Sequence, residues 1–294
     1  MTITVGLIGL GQMGHAICHR LLDTGVEVLI HNRTYEKAEK LIHRGALWKN
    51  NLRELAANAN IILVCVSGES ALRAIYYSDT DGLLYSLQEG KVVIDFSTLS
   101  AESAVNLHEA FGNIGVSYIE CPISGGVMGA LQGKLCSIVS GNEQAYSSAH
   151  PILIKICKTI NYVKQPGKAQ QLKILNNLAE SINLAGALEV IHQGQALGLD
   201  LESMVKVFTS CRGRSAYMHV SLNYILSGLT TSHVTLAVRC KDLELAQSQL
   251  PDLKAYPATA MAIQCFIDAR HAFGDDVDQC QYFSLLAQRR SVTS

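Results

Sequence analysis

No apolar run in these 294 residues approaches the roughly 20 needed to span a bilayer. An excess of one charge is missing too. The 24 Lys+Arg and 25 Asp+Glu leave a formal net charge of −1, which gives no electrostatic case for nucleic acid or an anionic membrane. The nine cysteines, at 18, 65, 121, 136, 157, 211, 240, 265 and 280, contain no CxxC pair. Several fall inside apolar runs such as Ile61-Ile62-Leu63-Val64-Cys65-Val66, so free thiols in a reducing cytosol explain them better than disulfides or metal. His15 and His19 are four apart, but no third ligand accompanies them, and no metal is assigned. Internal repeats and low-complexity tracts are absent. The first apolar strand starts almost at Met1, leaving no room for a signal or transit peptide, and Ser291-Val292-Thr293-Ser294 matches no targeting tripeptide. A cytoplasmic protein is expected.

What is present points to a well-buried enzyme: 48% of residues are hydrophobic and only 17% charged. The length is generous for one core, so two domains are expected. Apolar strands at 5–8, 26–30, 46–48, 61–66, 92–95, 116–119 and 136–139 alternate with helical patterns around 35–43, 69–76, 101–112 and 143–157. Such alternation predicts an α/β fold, a Rossmann-type doubly wound parallel sheet. Near Asn161-Tyr162-Val163 the pattern changes, and from Gly167 onward everything reads helical, with loops at Gly198, Gly213 and Gly274. A nucleotide-binding domain over 1–164 and an all-α domain over 165–294, built on a long interdomain helix, are expected.

The chain opens with a dinucleotide-binding signature. Val5-Gly6-Leu7-Ile8 reads as a buried parallel strand, followed by Gly9-Leu10-Gly11-Gln12-Met13-Gly14. A helix comes next, with Met13, Ile17 and Leu21 on one stripe and Gly25 as its C-cap, and then the strand Val26 to Ile30. The glycines serve a tight turn, room for the pyrophosphate, and close packing of helix on strand. Helix N-terminal amides then face the phosphates. Strand, helix and second strand in this order are the context that gives the glycine pattern its meaning.

The end of the second strand selects the cofactor. Preference for the form lacking a 2′-phosphate usually brings Asp or Glu there. This chain has His31-Asn32-Arg33-Thr34, with Lys37 one turn later. No carboxylate repels a 2′-phosphate, Arg33 pairs with it bidentately, and Asn32 and Thr34 supply neutral hydrogen bonds. NADP(H) is favoured over NAD(H).

Lys173 and Asn177 lie one helical turn apart, so ammonium and amide share a helix face. Downstream, Leu178 to Leu197 reads as an apolar helix. A lysine at the start of a buried helix is costly unless paired or used.

Five segments together resemble the β-hydroxyacid dehydrogenase family: Gly9 to Gly14, Asp95-Phe96-Ser97-Thr98, Pro122-Ile123-Ser124-Gly125-Gly126, Lys173 to Asn177, and Lys241-Asp242-Leu243. The stretch Pro122 to Leu135, with Ala130 and Gly133, is the most family-specific, and Phe273-Gly274-Asp275-Asp276-Val277-Asp278 resembles the last interhelical turn. The resemblance covers essentially the whole chain. It implies 3-hydroxyisobutyrate dehydrogenase-like chemistry: hydride transfer between nicotinamide and a short 3-hydroxy acid or semialdehyde, in a homo-oligomer (dimer or tetramer). It further implies Lys173 as the catalytic acid/base and Asn177 as the amide that orients lysine or substrate. Ser124, Gly125 and Gly126 would hold the substrate carboxylate, Ser97 and Thr98 would lie near the nicotinamide, and Lys241 and Asp242 would close the site, Lys241 also on the cofactor side.

Several positions depart from the family pattern. Val234, eight before Asp242, replaces a frequent Phe; Glu120 stands where Asp is common; Lys164 and Ala169 occupy positions where glycines are common. Gly213-Arg214-Ser215 resembles a family stretch whose aromatic is shifted here to Tyr217, and Arg214 fits either a substrate carboxylate or a structural salt bridge. Two alternatives are an imine reductase of related fold and a non-catalytic NADP-binding scaffold. Retention of Ser124, Lys173 and Asn177 argues against both.

Overall fold

The computed structural model describes residues 3–228, 234–250 and 252–293, so Met1 and the terminal Ser294 noted above lie outside the described residues. The first half runs β1 (Thr4–Ile8), α1 (Gln12–Asp23), β2 (Glu27–His31), α2 (Glu39–Ile42), β3 (Leu47–Trp48), α3 (Leu52–Asn58), β4 (Ile61–Val64), α4 (Glu69–Tyr77), α5 (Leu83–Ser86) and β5 (Val92–Asp95). It continues through α6 (Ala101–Gly112), β6 (Ser117–Glu120), β7 (Ile123–Ser124), α7 (Gly126–Leu131), β8 (Leu135–Ser140), α8 (Glu143–Ile156) and β9 (Cys157–Lys164). The rest is helical: α9 (Lys168–Ala196), α10 (Leu201–Ser210), α11 (Ala216–Leu226), α12 (Leu236–Gln249), α13 (Pro257–Phe273) and α14 (Tyr282–Thr293).

The strands form one sheet in the order β3-β2-β1-β4-β5-β6-β8-β7, with β9 paired to β8. From β3 to β6 every pairing is parallel, and the order reverses beside β1, where the chain returns across the sheet to β4. Alternate residues of each central strand enter opposite cores: Leu7, Leu63 and Ile94 on one face, Ile8, Ile62 and Val93 on the other. Burial on both faces is why these strands read as unbroken apolar runs.

The far edge differs from the expected all-parallel arrangement. β8 runs antiparallel to β6 and β7, and β9 then adds parallel to β8. β9 is largely exposed, so Lys158 to Lys164 carry no apolar run. The segment expected to be helical up to 157 turns into this strand after Ile156. Helices α3, α5 and α7, absent from the expected pattern, are all short.

The chain divides into two compact units, Met1–Lys173 and Ile174–Ser294, and the division falls inside the 29-residue helix α9. The second unit has its own core, including Leu184, Leu188, Leu236, Phe266 and Tyr282. Among the described residues no helix is long and apolar enough to cross a membrane.

Candidate functional site

At the C-terminal end of β1 the chain turns through Gly9, whose φ of +95° suits glycine. A Cβ on Gly14 would fall 1.9 Å from the Gly9 carbonyl oxygen, so α1 starts against that turn only because Gly14 has no side chain. Met13 packs at the edge of the core while Ile17 and Leu21 are fully buried. The helix ends with Thr24 as C-cap rather than Gly25. Gly25, at φ +75°, follows it, and the bonds Val26 N to Leu21 O and Gly25 N to Leu22 O close a Schellman turn.

Asn32, just past β2, reaches back to this loop. Its Oδ1 accepts from Leu10 N at 3.0 Å, and its Nδ2 donates to Thr34 O at 2.8 Å. Arg33 and Thr34 are exposed, and the Arg33 guanidinium has no ion pair among the described residues. Gln12 is exposed at the first position of α1.

Asp95 ends β5 fully buried. Its carboxylate accepts from Ser97 N at 2.8 Å and from the hydroxyls of Tyr76 at 2.6 Å and Tyr118 at 2.9 Å. Burial pushes its carboxyl above the usual range, against the opposing pull of those hydrogen bonds. Both tyrosine hydroxyls are held neutral, by burial first and by the Asp95 charge second. This cluster fixes the turn into Ser97 and Thr98. The neighbouring Cys65 thiol is pushed up to about 12 by burial, which makes it inert as a nucleophile.

Ser124 ends β7, half-buried and paired with Cys136 of β8, and its hydroxyl makes no hydrogen bond among the described residues. Gly125 (φ +123°) and Gly126 (φ +63°) follow in backbone conformations that favour glycine, and a Cβ on Gly126 would meet nothing within 4 Å.

Lys173 is 8% exposed on α9. The start of that helix is tied to the strand ends of its own unit. The buried Glu120 carboxylate accepts from Gly167 N at 2.5 Å and Gln170 N at 3.3 Å, and also from His108 Nε2 at 3.0 Å and Ser140 Oγ at 2.8 Å. The extra methylene of Glu over Asp gives that departure a structural purpose, since the carboxylate must reach across to a helix terminus.

Asn177, one turn beyond Lys173, belongs to the second unit and donates from Nδ2 to Asp242 Oδ2 at 2.7 Å. Lys241 Nζ stands 3.1 Å from Asp242 Oδ1, an ion pair by distance, and among the described residues no aligned hydrogen bond reaches that oxygen. The backbone of Asn177 is held by a residue that sequence patterns did not single out. Arg239, 2% exposed, donates from Nη1 to Asn177 O at 3.2 Å and to Ser181 Oγ at 3.0 Å. It also binds Gln279 Oε1 at 2.8 Å and 2.6 Å and the Tyr217 hydroxyl at 2.9 Å. Its place one turn before Asp242 on α12 was the available signal. Tyr217, the shifted aromatic, is thereby a structural partner, and Arg214 is exposed without an ion pair among the described residues.

The residues at the first loop fit a dinucleotide. A Cβ on Gly11 would meet nothing within 4 Å, which leaves open space at the start of α1. The helix has no side-chain N-cap and no acidic residue in its first turn, so its first amides are not taken by a side-chain acceptor. The buried Ser97 hydroxyl lies near the Asp95 carboxylate without an aligned hydrogen bond among the described residues, which leaves it open to a bound group. His15 and His19, one turn apart on α1 with rings 4.9 Å apart, are less basic than usual, chiefly through burial. Among the described residues no group of three or more His, Cys, Asp or Glu is placed to hold a metal ion.

Comparison with known proteins identifies the family. Residues 4–164 match the family model for the NAD binding domain of 6-phosphogluconate dehydrogenase. Residues 167–286 match that for the NAD-binding region of NADP-dependent 3-hydroxyisobutyrate dehydrogenase. The chain is 30% identical to 2-(hydroxymethyl)glutarate dehydrogenase of Eubacterium barkeri, across 92% of this chain and 90% of that protein. A solved structure of Psf3 in complex with NADP+ and 2-OPP superposes with a TM-score of 0.93 at 55% identity, covering 96% of this chain and 99% of the other. The 3-hydroxyisobutyrate dehydrogenase of Salmonella typhimurium shares the fold, with a TM-score of 0.87 at 24% identity over 96% of this chain and 99% of that one. An imine reductase from Myxococcus stipitatus in complex with NADP+ also shares it, at a TM-score of 0.67 and 19% identity, over 96% and 99% of the two chains. A glycine loop fitted to a dinucleotide, a buried lysine on a helix anchored to the sheet, and these matches across both halves lead to one conclusion: the chain belongs to the β-hydroxyacid dehydrogenase family of NAD(P)-dependent oxidoreductases.

Proposed function

We propose that this enzyme uses NADP(H) to interconvert a short 3-hydroxy acid and its semialdehyde, with Lys173 as general acid/base. The observation that carries the reading is Lys173 itself, a lysine only 8% exposed on a helix whose first turn is fastened to the strand ends. So deep a cation is retained where its charge is used.

The bound nicotinamide supplies the hydride in reduction and accepts it in oxidation. Lys173 hydrogen-bonds the carbonyl oxygen, stabilises the negative charge that develops there and gives that oxygen a proton; in the reverse direction the neutral amine takes the hydroxyl proton. Asn177, held by Asp242 and Arg239, fixes the next turn of the helix. The Ser124 hydroxyl and the amides of Gly125 and Gly126 receive the substrate carboxylate. Gly9 to Gly14 would hold the cofactor's pyrophosphate, Ser97 and Thr98 would receive its nicotinamide end, and Lys241 is assigned a further part in binding it. The exposed Arg33, with no acidic residue from His31 to Thr34, supports recognition of the 2′-phosphate, as does the NADP+ of the 55%-identical Psf3 complex. Leu172 (45% exposed) and Leu175 (52%) leave apolar surface on α9, which supports a homo-oligomer.

A panel of short semialdehydes, hydroxy acids and imines, each assayed with both cofactors, tests the reading. The highest kcat/KM belongs to carboxylate-bearing semialdehydes with NADPH. Equal reduction of imines, or of carbonyl compounds without a carboxylate, would overturn it.

A further inference from the structure

The amide of Gln170 is fully buried and committed at both ends. Its Nε2 donates to Ser97 O at 3.0 Å, and its Oε1 accepts from Leu99 N at 3.0 Å. One side chain thus satisfies two main-chain groups of the segment that leaves β5. On its main-chain side Gln170 N donates to Glu120 Oε2, beside Gly167 N on Oε1. The first turn of α9 is therefore gripped through both main chain and side chain. Lys173 follows three residues later, about 4.5 Å along the helix axis and on the adjoining face.

We propose that Gln170 is a positioning residue for the reaction, locking the Ser97–Leu99 segment in register with the helix that carries Lys173. The inference rests on the reading of Lys173 as acid/base and deepens it. The proton donor stands on α9, and the nicotinamide end of the cofactor is assigned to Ser97 and Thr98. Reaction needs both at one carbonyl at once, and a misplacement of about 1 Å costs on the order of 10²-fold in rate. A neutral amide suits this role, because it bonds one donor and one acceptor while adding no charge beside the buried Glu120. Its two bonds span only the helix and the loop, so they set register without touching the adenine end of the cofactor.

The test is a double-mutant cycle with Gln170→Met and Lys173→Ala, reading kcat and NADPH affinity in the intact protein. Methionine keeps the length and helix preference of glutamine and removes both hydrogen bonds. Gln170→Met is expected to lower kcat by about 10²-fold while NADPH affinity stays within about threefold. In the Lys173→Ala background the same substitution should change kcat by less than about threefold, because the group being positioned is gone. Gln170→Glu gives a second reading that does not depend on how well the methionine variant folds. A protonated carboxyl accepts from Leu99 N and donates to Ser97 O as the amide does, so its kcat relative to wild type should recover as pH falls. Wild-type kcat in Gln170→Met, the same fold-loss in both backgrounds, a matching loss of NADPH affinity, or no acid recovery in Gln170→Glu each overturns the positioning role. Wild-type kcat in Lys173→Ala alone overturns the acid/base reading instead, so the two failures are distinguishable.

Discussion

At Asn32 the side-chain amide is used up by the loop itself, bonded to Leu10 N and Thr34 O, whereas the adjacent Arg33 guanidinium is exposed. The two neighbours therefore contribute differently to cofactor choice. Arg33→Ala should weaken NADPH by about one to two decades, the value of a charge-assisted bond of roughly 1.5–3 kcal/mol, and leave NADH nearly unchanged. Asn32→Asp should move preference further toward NADH by repelling the 2′-phosphate. It also loses the donor to Thr34 O, so a melting temperature a few degrees lower is expected alongside. kcat/KM for both cofactors in the three proteins is the measurement, and a wild type that already prefers NADH contradicts the assignment of Arg33. Lys164 holds a strained backbone conformation. It is the only non-glycine residue with positive φ among those described, at 61°, in a place where the family pattern favours glycine. Lys164→Gly should raise stability by roughly 1 kcal/mol, the left-handed penalty less the added freedom of the unfolded chain. Urea unfolding measures it, and an unchanged midpoint would show that the turn holds no strain.

Among the elements, those buried on both sides of the sheet were the legible ones. β1, β4 and β5 are continuous apolar runs because each feeds two cores, and α6 stands where a helical pattern was expected, its start capped by Ser100 accepting from Ser103 N. β9 was not, because most of it is exposed, with Lys158, Asn161 and Lys164 among its polar residues, and it mimics a linker. The candidate site divides the same way. The glycine loop and the Lys173–Asn177 turn show in local spacing. Glu120 reaches Gly167 across 47 positions, Arg239 reaches Asn177 across 62 and Gln170 reaches Ser97 across 73, and no local pattern announces such partners. Glu120→Asp tests the anchoring of α9 at this scale. A carboxylate shortened by one methylene should lose Gly167 N and Gln170 N while remaining buried, destabilising the protein by about 1–3 kcal/mol. Equal unfolding free energies for the two proteins would show that α9 does not depend on Glu120.

Over the whole molecule, the first unit holds the nucleotide signature, the Ser124 turn and Lys173, and the second holds Asn177, Lys241 and Asp242. Each unit has its own core. Lys173 is the proposed proton donor. Single-turnover reduction of a carboxylate-bearing semialdehyde by Lys173→Ala, with NADPH affinity measured on the same protein, tests it most directly. The hydride-transfer rate should fall by roughly 10² to 10⁴ while NADPH still binds with wild-type affinity. A rate close to wild type in that variant would contradict the mechanism.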